Sequence, residues 1–434
     1  MFRKKKQIVT MKDRFKEVIA ENQTLNFKSG FLREQTIPLN TKLIISLIGA
    51  RRSGKTYLLY QLINQLLDSG VERKNILFIN FEDERLRAET DELDFILQAF
   101  NELYPDLDWE NTHLFFDEIQ NVTGWEKFIR RVYDTKTRNI YITGSNAKLL
   151  SSEIATALRG RSLSYTVFPL SFREYLNALN VEKATKTQQQ RSKLIHYAGE
   201  FMYNGGFAET IVLEKPTRIK LLQEYFNVMM FRDVVERYNV RAIDVLRFFI
   251  KKIFASVTFP FSINKTFRDL KSMGYKISNN YLYEFYDHCN AVFLTQSIDK
   301  FDYSEIKQSK SEKKTYVIDT GLLSAIEFSI SKNNGKLFEN MVFLELLKQG
   351  NKLFYFKLKY ECDFILEKEG NFFPFQVAYQ LEDSGTKKRE LRGLVEACRF
   401  LKVSEGTIIT FDQEETIQLD EIKVNVVAFY KYFL

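Results

Sequence analysis

The chain has 434 residues, 45% of them hydrophobic and 27% charged, with a net charge of +7; this length suits two to four domains, and the modest basicity permits a nucleic-acid partner without demanding one. Phe and Tyr are unusually abundant, at 39 and 22 residues. Scattered cysteines (Cys289, Cys362, Cys398), separated histidines (His113, His196, His288) and the lack of any apolar run of membrane length argue against a disulfide framework, a histidine metal site and a membrane span, and predict free thiols in a cytoplasmic protein.

In chain order, the basic run Arg3-Lys4-Lys5-Lys6 precedes a predicted helix from Met11 to Glu21. Short terminal charge runs are commonly solvated, so the run is assigned no function. An apolar strand, Leu43 to Ile48, then leads into Gly49-Ala50-Arg51-Arg52-Ser53-Gly54-Lys55-Thr56, which satisfies G-x-x-x-x-G-K-[ST] at every fixed position. The two glycines let backbone N–H groups turn toward an anion, and the following helix adds the positive end of its dipole. Lys55 is expected on the β- and γ-phosphates of ATP, and Thr56 on Mg²⁺.

From here to about residue 175, strand-like and helix-like segments alternate, the pattern of a parallel sheet covered by helices. Asn75 to Phe81 is one strand, and His113-Leu114-Phe115-Phe116 is another that runs directly into Asp117-Glu118. An apolar strand ending in Asp-Glu behind a P-loop reads as the second ATPase element: Asp117 for Mg²⁺, Glu118 to orient or deprotonate the attacking water. Trp125, Phe128, Ile129, Val132 and Tyr133 form a helical core stripe, and Asn139 to Thr143 is a further strand ending in Gly144-Ser145-Asn146. Ser145 or Asn146 at a strand's carboxyl end suits a γ-phosphate sensor, and equally a helix-capping turn. Arg159 and Arg161, just before a strand at Ser162 to Phe168, are candidates for the arginine that stabilises transferring phosphate, with Arg161 the stronger; surface ion pairing is the other reading of both.

The segments GARRSGKT, FFDEIQNVTGWEKFIRRVYD, ITGSNAKLLS and LRGRSLSYTVFPLSFREYL together resemble a large prokaryotic family in which an AAA-type ATPase core is fused to a winged helix and a C-terminal domain of unknown function. Gly205-Gly206-Phe207-Ala208-Glu209 and Tyr316-Val317-Ile318-Asp319-Thr320-Gly321-Leu322 are similar to that family's downstream landmarks, except that Ala208 replaces the usual proline. The resemblance implies a P-loop sheet with an extra strand between those carrying the two ATPase motifs, nucleotide binding by Gly49 to Thr56, metal coordination by Asp117 and catalysis by Glu118.

Amphipathic helices from about Gln188 to Val240 suggest a small lid beside the nucleotide. Helical patterns at Ala242 to Val257, Ile263 to Ser272 and Asn279 to Cys289, the last capped by Ser278, precede a predicted hairpin of Val292 to Ile298 with Thr315 to Asp319, as in a winged helix. The would-be recognition helix carries Tyr281, Tyr283, Glu284, Tyr286 and Asp287 but no Lys or Arg, a poor surface for a DNA groove, whereas the hairpin loop holds Lys300, Lys307, Lys310, Lys313 and Lys314, offset by Asp302, Glu305 and Glu312. Both double-stranded DNA and a protein remain open as partners.

Finally, a helix from Lys336 to Lys348 with Glu339, three strands (353–358, 361–366, 372–379), a helix at 387–399 and a strand at 407–411 resemble a restriction-endonuclease-like fold. That fold implies Mg²⁺ held by Glu339, Asp363 and a Glu-x-Lys, which here reads Gln376-Val377-Ala378. Glutamine is a weaker metal ligand and alanine cannot steady a nucleophile, with Lys387 or Lys388 as substitutes, so a vestigial, inactive site is expected.

The resulting expectation is an α/β multidomain P-loop NTPase of the AAA type: an extension (1–40), the ATPase core (41–180), a helical lid (181–240), a winged helix (241–330) and a nuclease-like domain (331–434). Its function would be Mg²⁺-dependent ATP hydrolysis driving domain movement on DNA or a DNA-associated partner, in a chain that can homo-oligomerise. An ATP-gated protein-interaction switch and an ATP-regulated nuclease are the alternatives.

Overall fold

The computed structural model describes residues 10–28, 30–86, 89–145, 158–326 and 334–434; the Arg3 to Lys6 run and Asn146 lie outside them. The chain divides into two compact units, residues 1–167 and 168–434.

The first unit is built on strands β1 (Ile44–Ile48), β2 (Ile76–Asn80), β3 (His113–Asp117), β4 (Ile140–Gly144) and β5 (Ser162–Thr166) in the order β2-β3-β4-β1-β5. All four pairings are parallel. β4 is therefore the strand between β1 and β3 that the resemblance implied. The central strands are apolar at nearly every position because both faces are covered. Leu77, Ile79, Leu114, Phe116, Ile140 and Ile142 face a core shared with Phe100, Trp125, Phe128 and Ile129. Their neighbours Ile45, Leu47, Phe78, Phe115 and Tyr141 face Leu58, Leu59, Leu62 and Ile63 of the helix Lys55–Asp68. Full burial of each such side chain contributes about 1.5–3 kcal/mol relative to exposure.

The N-terminal extension belongs to this unit. The helix Met11–Thr24 buries Phe15, Val18 and Ile19 in the first core. Phe27 and Ile37 enter the second, and Asn64 of the P-loop helix donates to the Phe27 carbonyl at 2.7 Å.

The second unit opens with helices Phe172–Ala178, Gln188–Asn204 and Lys215–Val228, the last continuing into a π-helical stretch, Met229–Glu236. Three helices follow, Ile243–Ala255, Ile263–Ser272 and Asn279–Ala291, with Ser278 accepting from the Tyr281 N–H as the expected cap. The short strand β6 (Pro260–Phe261) pairs with one arm of the hairpin formed by β7 (Thr295–Lys300) and β8 (Lys313–Val317), whose antiparallel register sets Thr295 opposite Val317. Then come the helices Thr320–Ile326 and Asn334–Lys348, strands β9 (Lys352–Lys357), β10 (Glu361–Lys368) and β11 (Asn371–Ala378), the helix Ser384–Leu401, and strands β12 (Glu405–Thr410), β13 (Glu415–Leu419) and β14 (Ile422–Ala428).

These strands form a single sheet of nine, ordered β13-β14-β12-β11-β10-β9-β7-β8-β6. β7 pairs with β9 in parallel, Asp299 opposite Phe354, so backbone hydrogen bonding crosses the expected boundary at residue 330. The sequence reading also ended one hairpin early: β14 pairs in parallel with β12 and antiparallel with β13. The helices expected to form a lid are built into the second unit, with Gln188–Asn204 and Lys215–Val228 both packed against Thr320–Ile326.

One junction explains two of the quoted landmarks. The buried Asp319 carboxylate accepts the backbone N–H groups of Gly206, at 2.6 Å, and Leu322, at 2.8 Å. Gly205 has φ +74°, and a Cβ there would overlap that carboxylate; a Cβ on Gly321 would overlap the Asn204 carbonyl. The Gly205-Gly206 and Asp319-Thr320-Gly321 segments are thus two halves of one close backbone contact.

Candidate functional site

Parallel pairing brings the carboxyl ends of four strands to one edge, with Ile48 opposite Gly144 and Asn80 opposite Asp117. The loop Gly49 to Gly54 leaves β1 at this edge. The two glycines serve different needs. Gly54 takes φ +96° as the N-cap of the following helix, whereas Gly49 is required because a Cβ would overlap the Val167 carbonyl oxygen. Arg52 also adopts a left-handed conformation, φ +66°. Arg51 pairs with Glu82 at 2.6 Å. The hydroxyl of Ser53 is buried without a hydrogen-bond partner, an orphaned polar atom in a loop suited to an anion.

Lys55 is almost wholly buried and donates to the carbonyls of Gly49, at 3.2 Å, and Ala50, at 3.1 Å. Its ammonium also lies 3.1 Å from Glu118. Thr56 donates to Asp117 at 2.7 Å, and Thr143 donates to the other carboxylate oxygen at 2.5 Å while accepting the Glu118 N–H at 2.8 Å. Burial, and then repulsion from Glu118, push the Asp117 carboxyl up to about 6, against hydrogen bonds from Thr143 and Thr56 and the charge of Lys55. Burial would also raise Glu118, but Lys55 and Gln120 outweigh it and hold that carboxyl below its usual value. Glu118 sits at φ +51° in the left-handed region, a conformation unusual for a non-glycine residue.

The structure thus brings Gly49 to Thr56, Asp117 and Glu118 together. Ser145 is buried at the end of β4 beside them, with Gln120 donating to it at 3.4 Å and to Glu118 at 2.5 Å. Sequence reasoning missed Gln120, Thr143 and Arg33. Arg33 donates to the Ser53 carbonyl at 2.9 Å, next to Gly54. Proximity in sequence to Asp117-Glu118 was the available signal for Gln120, and a place near the polar end of the strand Ile140–Gly144 that for Thr143.

Arg161 is elsewhere. Its carbonyl accepts the Ile44 N–H at the amino end of β1, opposite the P-loop edge, and its guanidinium grips both Asp134 oxygens at 2.7 and 2.8 Å. It therefore does not reach the phosphate loop of its own chain. Arg159, at φ +53°, is in the exposed turn that precedes the same strand start.

The second acid cluster also differs from expectation. Glu339 and Asp363 are gathered, but the cation between them is Lys314, expected in the basic hairpin loop and in fact wholly buried on β8. Gln376 faces away from that cation: it accepts the Asp363 N–H at 3.2 Å and donates to Glu390 at 2.5 Å. Lys387 pairs with Glu415 at 2.6 Å, and Lys388 is exposed, so neither substitutes for the missing lysine. The available signal for Lys314 was its place two residues before Tyr316 on a strand that is buried from Lys314 to Val317, with Lys313 alone exposed. Among the described residues, no helix is long and apolar enough to cross a membrane.

Residues 41–176 match an AAA domain family, residues 196–334 and 334–432 two families described as domains of unknown function. The chain is 38% identical over 440 residues to uncharacterized protein MJ1544 of Methanocaldococcus jannaschii, spanning 97% of this chain and 95% of that one. It is 30% identical over 359 residues to an uncharacterized protein of Haemophilus influenzae, spanning 82% and 88%. A search of solved structures finds the Aeropyrum pernix Orc1 protein in complex with DNA at 13% identity, covering 73% of this chain and 92% of that one, with a TM-score of 0.30, too low to carry an argument. The chain belongs to the same family as the two uncharacterized proteins, and its first unit carries an AAA-type P-loop fold.

Proposed function

We propose that this member of the family binds ATP with Mg²⁺ at the carboxyl edge of the first sheet and hydrolyses it, and that hydrolysis drives movement of the rest of the chain on DNA or a DNA-associated partner. The observation that supports this most is the Thr56–Asp117 hydrogen bond at 2.7 Å beneath a loop whose lysine touches Glu118. A phosphate loop, a metal-holding hydroxyl–carboxylate pair and a base are within one hydrogen-bonded cluster. The residues fit the ligand: backbone N–H groups, the unpaired Ser53 hydroxyl and Lys55 offer donors to phosphate oxygens, and Thr56 and Asp117 offer oxygen ligands to Mg²⁺. When bound, Mg²⁺ supplies charge neutralisation on the phosphates.

In this mechanism Lys55 exchanges its contact with Glu118 for a phosphate oxygen. That releases Glu118 to accept a proton from water, while Gln120 holds the carboxylate in place and Thr143 fixes the Glu118 backbone and the Asp117 oxygen. Ser145, buried beside Gln120, is assigned to sensing the γ-phosphate.

The DNA half rests on the helix–helix–helix–hairpin order of Ile243–Val317, read as a winged helix. Its opponent is also specific. The helix Asn279–Ala291 exposes Tyr283, Glu284 and Asp287, Lys314 is buried, and Lys313 pairs with Asp299 at 3.1 Å. These features favour an ATP-gated protein-interaction switch as the second reading. ATP turnover with and without duplex DNA, for the native chain and Glu118→Gln, separates the two. DNA stimulation supports the first, and turnover indifferent to DNA, with no salt-dependent DNA binding, overturns it.

A further inference from the structure

The side chains around Lys314 form a site whose cation is part of the chain. Its ammonium has three N–H donors, and three carboxylates surround it: Glu361 at 2.7 Å, Asp363 at 3.1 Å and Glu339 at 3.3 Å. The acids come from β10 and from the helix Asn334–Lys348, the lysine from β8 of the hairpin. Lys314 is 0% exposed. Tyr316, two residues along the same strand, donates to the same Glu339 oxygen at 2.9 Å, and the Val377 N–H donates to the second Asp363 oxygen at 3.0 Å. Each acid oxygen facing Lys314 is therefore committed to a donor of the chain itself.

Electrostatics agree with this geometry. Burial alone would lower the Lys314 pKa, but Glu339, Asp363 and Glu361 outweigh it and hold the ammonium well above its ordinary value. Burial and then Asp363 raise the Glu339 carboxyl above its ordinary value, while Lys314 and Tyr316 oppose the rise. Glu361 is shared with Lys357 at 3.0 Å, so two ammonium groups of the chain itself face the three acids. Carboxylate oxygens are also the ligand type that a hard divalent cation takes, at shorter distances of roughly 2.0–2.6 Å, and among the described residues no group of three or more acids, histidines or cysteines is placed to hold a metal as it stands.

We infer that the Lys314 ammonium occupies the position of a divalent cation in this nuclease-like acid cluster, so that the native cluster takes no metal and its oxygens serve to join the hairpin to the C-terminal strands. The cluster thus has its lysine on β8 rather than at position 378, where Ala378 stands.

The test uses the full chain without nucleotide, titrated with Mn²⁺ while the free ion is followed by electron paramagnetic resonance. The proteins compared are native, Asp363→Asn, Glu339→Gln, Lys314→Met and Lys314→Met with Asp363→Asn. Native, Asp363→Asn and Glu339→Gln are expected to give superimposable curves. Lys314→Met should gain one site, at least tenfold tighter than the native background, which the added Asp363→Asn removes. A native ion that disappears in Asp363→Asn or Glu339→Gln overturns the inference, as does a folded Lys314→Met that gains no site. If Lys314→Met fails to fold, the native chain and the two acid variants still decide, because superimposable curves uphold the filled site and a lost ion refutes it.

Discussion

Lys55 and Glu118 lie 3.1 Å apart, with side chains only 3% and 8% exposed. The residue expected to bind phosphate and the residue expected to activate water thus hold each other. In so dry a setting an ion pair gives up much hydration, and the carbonyls of Gly49 and Ala50 that accept from the same ammonium offset part of that loss. Under the proposed function, nucleotide binding would break the pair and so link occupancy of the loop to release of the base.

The first expected outcome follows. Glu118→Gln keeps the shape of the site but removes the base, so ATP turnover should fall by roughly two to four orders of magnitude while ATP affinity is retained. Lys55→Ala should abolish nucleotide binding. Phosphate release and equilibrium nucleotide titration measure both, and unchanged affinity in Lys55→Ala would show that the loop is not the site.

Asp117 carries the pH dependence. Its folded value of about 6 lies above the ordinary 3.8 because of burial and Glu118. The folded state therefore binds this proton more tightly than the unfolded chain, and the group's contribution to stability falls as pH rises from about 4 to 6. Mg²⁺ needs the ionised form, so the Mg²⁺-dependent part of nucleotide affinity should weaken roughly tenfold between pH 7 and pH 5. Thr143→Val, which removes a hydrogen bond to the ionised form, should move that midpoint upward. Affinity independent of pH over this range would contradict the assignment.

The contact between Gly205 and Asp319 is a stability prediction. Gly205→Ala combines strain at φ +74° with overlap of the Asp319 carboxylate, and should cost roughly 2–4 kcal/mol. Asp319→Ala leaves the Gly206 and Leu322 N–H groups buried without their acceptor, with a loss of about 2–4 kcal/mol. Denaturant unfolding of the full chain measures both; near-native midpoints would show that the junction is dispensable.

For Arg161, the ion pair with Asp134 at the far end of β5 implies that Arg161→Ala leaves stability within about 0.5 kcal/mol and turnover of the dilute chain unchanged. A loss of turnover that grows with protein concentration would indicate that the residue acts on a neighbouring copy.

Much of the ATPase core was legible because its signals are local. The P-loop spacing, the Asp117-Glu118 strand end and the apolar runs of β1 to β4 depend on residues adjacent in sequence, and covering both sheet faces requires their uninterrupted hydrophobicity. Helix starts were legible for the same reason, as at Ser278. The C-terminal hairpin was less visible: Glu415–Leu419 is exposed or half-buried along its length, an edge strand without a strong apolar pattern.

By itself, then, the sequence determined the strands and helices with strong local patterns and the loop whose spacing fits phosphate, since backbone geometry and side-chain period act over a few residues. Tertiary structure decided the rest. Arg161 sits at the wrong end of a parallel strand for its own P-loop, Gly205 meets Asp319 across 114 positions in the chain, and Lys314 leaves a basic-looking loop to become the buried partner of Glu339, Glu361 and Asp363. Each depends on which strand ends are brought together, and a charge's role is set by its neighbours in space: the same ammonium is a surface contact in water and an internal cation when three carboxylates close around it.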